Sequence, residues 1–527
     1  MSRPARRLLH AAALLAAITA LARVAGFART TAFGRNVGSG CVGSVYQTAN
    51  FIPNIVFDIV AGGMLSALVV PILAPALAAG ERERADQMMS ALLNWALVVL
   101  VPITVIVAVA AGPIVTALLG PQSQCPGAHA LGTRMLVLFA PQIVFYGLGI
   151  VLGGVLAASE RFVWPALAPL LSSLVVIGVY LAYGAMAGAG RDARGLPGTA
   201  ELVLSLGTTA GVIVLASCLI PPAWRSGARW RPMLRFPAEV AKTVRLAAFA
   251  GAGTLAAQEL STAVMIRLAN TDTQRGTLVI VTMAQTLFLL PWAVLSLPVA
   301  TTAFPRLSAD WASGARAAYA HRVAAAGVVV ITAAAAGTAL LVAVAEPAGI
   351  VLLGPHAPSL GVFAPTTAAF ALGLVGWSLV ALLGRALYAS GHLVSSARAQ
   401  VIGQLCVIAV DIVLSVTVSS AHRAVVLGVG NSVGVVVAAG LLIVNGRRAG
   451  AFAPGGWISR TSLAAVAAGA AGAVAGALVG RHAHGAATLA GLGWGSVAAL
   501  AAITVFAAVI FLLDRAGATA LLRSGLP

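Results

Sequence analysis

The chain has 527 residues, of which 60% are hydrophobic and only 9% are charged, and its mean hydropathy is +0.99. Soluble globular domains carry charge on roughly a quarter of their residues, so this composition excludes a soluble protein and indicates a membrane protein. The 32 Lys and Arg against 14 Asp and Glu give a formal net charge of +18, which in a soluble chain would favour nucleic-acid binding.

Fourteen apolar stretches, separated by charged or Gly/Pro-rich breaks, predict transmembrane helices and an all-α polytopic membrane protein. Those of the first half lie near Leu8–Phe27, Val42–Leu77, Leu92–Ala111, Met135–Ala157, Ala166–Met186 and Leu202–Ile220. Those of the second half lie near Leu246–Leu268, Leu278–Ala303, Val323–Val344, Val362–Leu387, Val401–Val418, Ala424–Val444, Leu463–Val479 and Leu489–Leu513. The first stretch resembles a signal peptide, but Arg23 and Arg29 stand where a small-residue cleavage site would be expected, so we predict a retained helix.

The positions of the basic residues predict the orientation of the chain. An even number of spans places both termini on one side, and 21 of the 32 Lys and Arg fall at the termini or in the loops of that side. Seven lie in the opposite loops, and four lie within spans. By the positive-inside rule, the chain is a multi-pass protein of the cell membrane with both termini in the cytoplasm. Anionic membrane lipids suffice as partners for the basic loops, so we expect no nucleic acid.

The two halves of the chain resemble each other. Three short motifs recur in the same order at nearly constant offset: Leu118-Leu119-Gly120-Pro121 as Leu352-Leu353-Gly354-Pro355, Phe139-Ala140-Pro141 as Phe363-Ala364-Pro365, and Ala158-Ser159 as Ala389-Ser390. Because each half holds six spans, the repeats are parallel, and a binding site is expected between them. The predicted divisions are an N-lobe (1–222), a cytoplasmic amphipathic linker (223–245), a C-lobe (246–445) and two further helices with a short cytoplasmic tail (446–527).

The four cysteines, Cys41, Cys125, Cys218 and Cys406, form no Cys-x-x-Cys and no cluster with histidine. We therefore predict isolated apolar side chains, with neither a disulfide framework nor a zinc site. The sequence also lacks Gly-x-Ser-x-Gly, His-Glu-x-x-His and Walker motifs. These observations predict a protein that is not an enzyme and has no metal centre.

Charged side chains inside the hydrocarbon are the main candidates for functional residues, because each costs on the order of 3 kcal/mol to insert. Arg23 and Arg29 flank Gly26 in the first span, and a bend at this glycine would turn both guanidiniums toward one cavity. Guanidiniums in a dry cavity suit a phosphate ligand, which they bind bidentately. The alternative is that Arg29 reaches the outer interface and Arg23 pairs with a carboxylate such as Asp58.

The second span is longer than a bilayer requires and must be tilted, bent or broken. Pro53 and Gly62-Gly63 supply candidate hinges, and Asn50 and Asn54 supply polar groups for an interior face. Asp58 is either a site for a coupling ion or proton, or the counter-ion of a buried arginine. The counter-ion is the favoured interpretation, because structural ion pairs also perturb carboxylates.

The second half carries corresponding candidates. Glu259 and Asp411 lie near mid-depth and are candidate sites for a proton or a monovalent cation. Arg267 and Arg385 lie near the ends of spans, where they either line a cavity or extend to the interface. Pro291 is a further candidate hinge.

Several of these residues stand in motifs that resemble the MurJ (MviN) lipid II flippase family. The motifs are Arg23-Val24-Ala25-Gly26-Phe27-Ala28-Arg29, Phe33-Gly34, Ala49-Asn50-Phe51-Ile52-Pro53-Asn54, Ala61-Gly62-Gly63-Met64-Leu65-Ser66 through Val70-Pro71, and Leu289-Leu290-Pro291 to Phe304-Pro305-Arg306-Leu307-Ser308. Together with the two six-helix lobes, the resemblance covers the whole chain.

The resemblance implies a MATE-like fold of the multidrug, oligosaccharidyl-lipid and polysaccharide exporter superfamily. It implies movement of lipid II, an undecaprenyl-pyrophosphate-linked peptidoglycan precursor, from the inner to the outer leaflet by alternating access. We expect the membrane potential or an ion gradient to drive this movement. Arg23 and Arg29 match the two arginines of the family's first helix. The chain is more similar to the high-GC Gram-positive branch, because Ser44, Phe57 and Thr286 stand where an acidic residue and two arginines are expected. Arg267 or Arg385 would then substitute as cavity cations.

Other functions stay open at this point. The same fold suits an exporter of another polyprenyl-linked glycan, or a cation-coupled drug antiporter that would depend on Asp58, Glu259 or Asp411 more than on arginines. A third alternative is a non-transporting scaffold for wall-synthesis proteins, in which the intramembrane arginines would be dispensable.

Overall fold

The computed structural model describes residues 3–59, 73, 77, 79–121, 125–225, 230–231, 238–271, 276–452 and 459–523. For residues 3–13, 16, 238–252 and 520–523 it describes the backbone alone. The ordered elements of these residues are all helices, which confirms the predicted all-α class.

The chain divides into two compact units, Met1–Glu259 and Leu260–Pro527. The α-helices described in the first unit are α1 (Arg3–Asn36), α2 (Cys41–Ile59), α3 (Arg82–Val109), α4 (Ala111–Leu119), α5 (Ala128–Phe139), α6 (Gln142–Ala158), α7 (Val163–Ala187), α8 (Gly198–Ser217) and α9 (Ile220–Arg225). Helix α10 (Ala238–Asn270) continues across the division between the units. The predicted lobe and linker boundaries stay a prediction.

The second unit continues with α11 (Thr277–Pro291) and a π-helical turn at Trp292–Ser296. Its other α-helices are α12 (Leu297–Ala312), α13 (Arg316–Leu353), α14 (Leu360–Ala371), α15 (Leu374–Ala389), α16 (Leu393–Thr417), α17 (Arg423–Arg448), α18 (Arg460–Gly480), α19 (Thr488–Leu513) and α20 (Arg515–Arg523).

Eleven helical segments among the described residues are long and apolar enough to cross a membrane. They correspond to the predicted spans other than the first, second and seventh, which are α1, α2 and α10. Helix α2 interrupts its apolar sequence with Gln47, Asn50, Asn54 and Asp58, and residues 60–72, into which its predicted span runs, lie outside the described residues. The predicted total of fourteen spans is therefore not established by the helices themselves. The helices outside the eleven carry most of the candidate site residues of the first unit.

An aromatic cluster forms the centre of the first unit. The Tyr46 hydroxyl lies 2.9 Å from that of Tyr180 and 3.0 Å from Oγ1 of Thr208, so these buried polar atoms satisfy one another. The rings of Phe33 and Phe139 lie 5.4 and 5.5 Å from that of Tyr46. These contacts join α1, α2, α5, α7 and α8.

The sequence repeat has a counterpart in the backbone. Gly120 and Gly354, which follow α4 and α13, both adopt positive φ, at 87° and 96°. The ends of α6 and α15 also match, because Arg161 N donates to Leu156 O and His392 N to Leu387 O, each over 2.8 Å. This six-to-one hydrogen bond is the Schellman closure of a helix. The two halves thus repeat helix ends as well as sequence motifs.

Small residues pack α18 closely against α13 and α19. A Cβ added at Gly469 would lie 2.9 Å from Ala335 O, and one added at Gly472 would lie 2.7 Å from Ala502 O. At Gly476 the added atom would collide with Ala343 Cβ. Glycine therefore permits a helix approach that no larger residue allows, as expected for helices that associate in lipid.

We expect Gly476→Leu to separate α18 from its neighbours and to reduce the yield of folded protein. Overpacking of a tight interface costs about 3 kcal/mol, measurable as a lower apparent melting temperature in detergent. Gly493→Leu on α19 is the matched control, because nothing lies within 4 Å of the added Cβ there. Equal melting temperatures of the two variants would contradict the close packing.

The prediction for the cysteines was wrong in part. Cys41 and Cys125 form a disulfide across 84 residues of sequence, with their Cα atoms 5.8 Å apart. Cys218 and Cys406 are free thiols. The pairing escaped the sequence because the partners stand in no local motif and meet only where separate loops pack.

Candidate functional site

The two arginines of the first span lie on a helix that continues without interruption from Arg3 to Asn36. Both side chains are exposed, and neither forms an ion pair with a carboxylate in the described part of the chain. A separation of six residues in an unbroken helix turns the side chains about 120° apart. The helix is not interrupted at Gly26, and the predicted bend there stays a prediction.

The polar residues of α2 form a stripe along one face of the helix. Asn50, Asn54 and Asp58 follow one another at intervals of four residues, which places them one above the other. The Oδ1 atom of Asn50 is buried and has no hydrogen-bond partner among the described residues. Helix α2 continues through the buried Pro53, while the predicted hinge at Gly62 and Gly63 lies outside the described residues.

Tyr146 of α6 packs against this stripe. Its hydroxyl donates to Asn54 Oδ1 over 3.2 Å, and its ring centroid lies 4.7 Å from that of Phe57. Phe57 is the position where the resemblance led us to expect an arginine. An aromatic pair occupies that place here, so cationic character in this part of the first unit comes from α1.

Electrostatic interactions connect these residues with charges on two further helices. The Arg29 guanidinium lies close enough to interact with the hydroxyl groups of Tyr46, Tyr146 and Tyr180. The Asp58 carboxylate interacts with Tyr146 and with Glu259, which is 7% exposed on α10. We name Arg29, Asn54, Asp58, Tyr146 and Glu259 the first-unit polar cluster.

The first-unit polar cluster offers two kinds of binding chemistry. Arg29 presents a guanidinium whose charge no carboxylate of the described residues neutralises by an ion pair, and a guanidinium binds phosphate oxygens through two parallel N–H groups. Asp58 and Glu259 are carboxylates that repel each other when both are ionised, which favours a proton on one of them. Asp58 forms no ion pair with a described cation, so the counter-ion role is not realised in this conformation.

The second unit contains a separate buried polar group on α16 and α17. Asp411 is 1% exposed, and its Oδ1 atom faces Gly430, where an added Cβ would collide with it. Oδ1 of Asp411, Oγ of Ser415 and Nε of Arg423 are all buried without a hydrogen-bond partner among the described residues. A second nitrogen of Arg423 donates to the Ser415 carbonyl. We name these three residues the second-unit polar group.

An ionised carboxylate buried without a partner costs on the order of several kcal/mol. Asp411 therefore requires either a proton on the carboxyl group or a cation beside it. The surrounding oxygens of Ser415 are of the type that hard cations accept as ligands. Asp411 thus stays a candidate site for a proton or a small cation.

The other predicted residues of the second unit are half-buried. Arg385 donates from one nitrogen to the Ala381 carbonyl of its own helix over 2.8 Å. Arg267 buries one nitrogen that has no partner within the described part of the chain. Thr286 donates to Thr282 O over 2.9 Å and so satisfies its hydroxyl within its own helix. Arg267 thus retains a donor for a ligand, whereas the observed bond of Arg385 is internal.

The predicted hinge at Pro291 coincides with an irregular backbone. Helix α11 ends at Pro291, and the π-helical turn at Trp292–Ser296 separates it from α12. The Pro291 side chain packs on α13, because a Cβ at Gly337 would lie 2.9 Å from Pro291 Cβ. Such π-helical turns often mark functional positions in helices.

Tyr146 is the member of the first-unit polar cluster that the sequence did not reveal. It stands next to Phe145 in an apolar span, where an aromatic residue is ordinarily part of the core. The available signal was the hydroxyl group, because a tyrosine buried in a membrane protein requires a hydrogen-bond partner.

Comparisons with known proteins identify what this chain resembles. A family model described as lipid II flippase MurJ matches residues 33–492. A probable lipid II flippase MurJ from Synechocystis sp. is 28% identical over 195 residues, which cover 36% of this chain and 35% of that protein. The aligned part therefore spans about a third of the length of this curated relative.

Solved structures share the fold. A lipid II flippase MurJ in an inward closed conformation matches with a TM-score of 0.73 at 17% identity, over 95% of this chain and 99% of that one. An inward-facing multidrug resistance transporter of the MATE family matches with a TM-score of 0.65 at 14% identity, over 82% and 94% of the two chains. A transporter of the MOP superfamily from Pyrococcus furiosus gives 0.59 at 14% identity, over 83% and 95%. The fold is thus that of MurJ and MATE proteins.

Proposed function

We propose, from the premise that this chain belongs to the MurJ family of lipid II flippases, that it moves lipid II from the inner to the outer leaflet of the cell membrane. The match to the family model covers most of the chain, which supports a transporter and not an enzyme. It does not favour an exporter of another glycan, a drug antiporter or a non-transporting scaffold.

The observation that carries this proposal is the Arg29 guanidinium, which has no ion-pair partner among the described residues and interacts with Tyr146, the hydrogen-bond partner of Asn54. A charged side chain exposed on a transmembrane helix needs a water-filled cavity or an anionic ligand. The pyrophosphate of lipid II is such a ligand, and Asn54 and Tyr146 add hydrogen-bonding groups for its sugars.

In the proposed mechanism Arg23 and Arg29 neutralise the pyrophosphate, while the prenyl tail stays in the lipid. Arg267 and Arg385 contribute further positive charge from the second unit, and Asn50 contributes a buried amide oxygen. An anionic headgroup that moves outward gains about 2.3 kcal/mol per charge for each 100 mV of inside-negative potential. Transport by alternating access then needs no nucleotide, and Gly26, Pro53, Gly62, Gly63 and Pro291 supply the proposed hinges.

Coupling to an ion gradient is proposed for the carboxylates. Asp58 and Glu259 interact with each other in the first unit, and Asp411 is buried without a partner for Oδ1 in the described part of the second. Each arrangement changes its charge balance when a proton or a monovalent cation binds. Binding there would favour one conformation over the other and so return the protein to its inward-facing conformation.

The proposed orientation has both termini in the cytoplasm, supported by the 21 basic residues on that side. Linker residues Trp224 and Trp230, which are 70% and 55% exposed, would then lie at the inner membrane interface. Contacts with wall-synthesis proteins are proposed for the cytoplasmic or outer loops.

Reconstituted translocation tests the function directly. Purified protein in liposomes that contain fluorescent lipid II should expose the label at the opposite leaflet, and an inside-negative potential should accelerate this. A labelled phosphatidylethanolamine that stays in its leaflet is the control for a leaky bilayer. Movement of a different polyprenyl-linked glycan, with lipid II left in place, would overturn the proposal.

A further inference from the structure

The disulfide between Cys41 and Cys125 joins two loops at one end of the first unit. Cys41 begins α2, and Cys125 lies between α4 and α5, three residues before Ala128. The ends of α1, α4 and α7 and the beginnings of α2, α5 and α8 lie in the connecting segments at this same end. The bond thus links segments that are distant in sequence.

A third loop, between α7 and α8, packs on the first. Gly190 N donates to Val37 O over 3.1 Å, and Val42 N donates to Arg191 O over 3.4 Å. A Cβ added at Gly40 would lie 3.0 Å from Gly190 Cα, so the two backbones touch. We name residues 37–42, 125–129 and 187–194 the disulfide cap.

The second loop also contacts the third. A Cβ at Gly127 would lie 3.1 Å from Arg194 Cγ. Next to the cap, Arg134 of α5 binds Glu201 of α8 bidentately, with N–O distances of 2.7 and 2.8 Å. All three loops are therefore in contact, and the disulfide is their only covalent link among the described residues.

We propose that the disulfide cap faces the extracytoplasmic side, where a thiol–disulfide oxidoreductase forms the Cys41–Cys125 bond as a staple that holds the beginning of α2. Disulfides persist in oxidising compartments and are rare in the cytoplasm. The cap follows α1, the first predicted span, so an extracytoplasmic cap agrees with the cytoplasmic amino terminus that the basic residues predict. The proposal does not depend on which lipid is transported.

The oxidation is a balanced exchange. One cysteine thiolate of the cap attacks a sulfur of the oxidoreductase disulfide, which forms a mixed disulfide and releases the other sulfur of the enzyme as a thiolate. The second cap thiolate then attacks the cap sulfur of the mixed disulfide and expels the remaining thiolate of the enzyme. Two thiols lose two electrons and two protons in total, and the oxidoreductase gains them as a dithiol.

The staple acts on the helix that carries the polar stripe. Cys41 lies nine residues before Asn50, and Tyr46 between them connects α2 to α7 and α8 through hydrogen bonds. Removal of the bond frees the first turn of α2 and opens the covalently closed loop, which raises the conformational entropy of the unfolded chain. We expect lower thermal stability and slower transport, because the candidate site residues of α2 lose a tether.

Thiol counting on protein trapped with acid from intact cells tests the bond. After denaturation, a polyethylene glycol maleimide should add to two cysteines without reductant and to four after reduction. The Cys41→Ser variant should give three additions in both conditions. Its apparent melting temperature should fall by roughly 5 °C, whereas Cys218→Ser/Cys406→Ser should keep the wild-type value.

Labelling of a single remaining cysteine tests the side of the membrane. In Cys41→Ser/Cys218→Ser/Cys406→Ser, a membrane-impermeant maleimide should label the half-buried Cys125 in intact cells. The matched variant that retains only Cys218 should be labelled only after the cells are opened. Four free thiols in unreduced protein would overturn the staple, and labelling of Cys125 in inverted vesicles but not in intact cells would overturn its location. Both outcomes are independent of lipid II translocation.

Discussion

Replacement of Arg29 by alanine is expected to abolish growth of a strain depleted of its own lipid II flippase. Arg29 is the charged member of the first-unit polar cluster that attracts an anion, and no described carboxylate pairs with it. Loss of bidentate, charge-assisted bonds to a pyrophosphate in a site of low dielectric costs on the order of 3 kcal/mol, or about 100-fold in transport. Arg23→Ala should have the same phenotype. Complementation and reconstituted translocation measure both effects.

Two further variants separate charge from geometry. Arg29→Lys should recover only part of the activity, because an ammonium group keeps the charge but cannot form the planar bidentate contact. Arg398→Ala removes an exposed arginine of α16 that has no described ion pair and should grow normally. Membrane levels of all variants should match the wild type. Full growth of Arg23→Ala and Arg29→Ala would show that these arginines do not bind the substrate.

Replacement of Asp411 by asparagine is expected to uncouple transport from an imposed ion gradient while the protein remains folded. Asparagine resembles the protonated carboxyl group in shape and fits beside Gly430, so packing of α16 on α17 should survive. The side chain can no longer change its charge. Transport should fall at least tenfold under an imposed gradient, and its dependence on pH or cation concentration should disappear. Translocation assays at several pH values and cation concentrations measure this.

The control for Asp411→Asn replaces an exposed carboxylate that forms no ion pair among the described residues. Glu160→Gln alters an exposed side chain at the end of α6, outside both polar groups, and should leave the gradient dependence unchanged. A variant Asp411→Asn that keeps its wild-type response to the gradient would assign coupling elsewhere, with Asp58 and Glu259 as the next candidates. If Asp411→Asn lowers the melting temperature and the amount of folded protein enough to account for the loss of transport, Asp411 has a structural role instead.

Much of the architecture was predictable because apolar length and the positions of arginine follow from the physics of the bilayer. The helices that contain Leu118 and Leu352 are followed by Gly120 and Gly354, which occupy the same place in the repeated sequence motif. Both glycines adopt a positive φ. Arg23, Arg29 and Asp411 could be proposed as candidate site residues for the same reason, since charged groups in hydrocarbon are costly.

Other features depended on contacts between segments far apart in sequence. Tyr146 joins the first-unit polar cluster through a hydrogen bond to Asn54, which is 92 residues away. The partner of Cys41 is 84 residues away. Neither residue type has a spacing rule that would reveal its partner, so packing of the helices had to be known first.

The polar stripe of α2 also affects how the chain is made. Asp58 alone raises the free energy of insertion by about 3 kcal/mol at the bilayer centre, and Asn50 and Asn54 add to it. A nascent α2 is therefore a weak signal for the translocon and depends on α1 and α3 to keep it in the bilayer. Biogenesis of the amino-terminal part is then a cooperative event in which a functional helix enters the membrane with the help of its apolar neighbours.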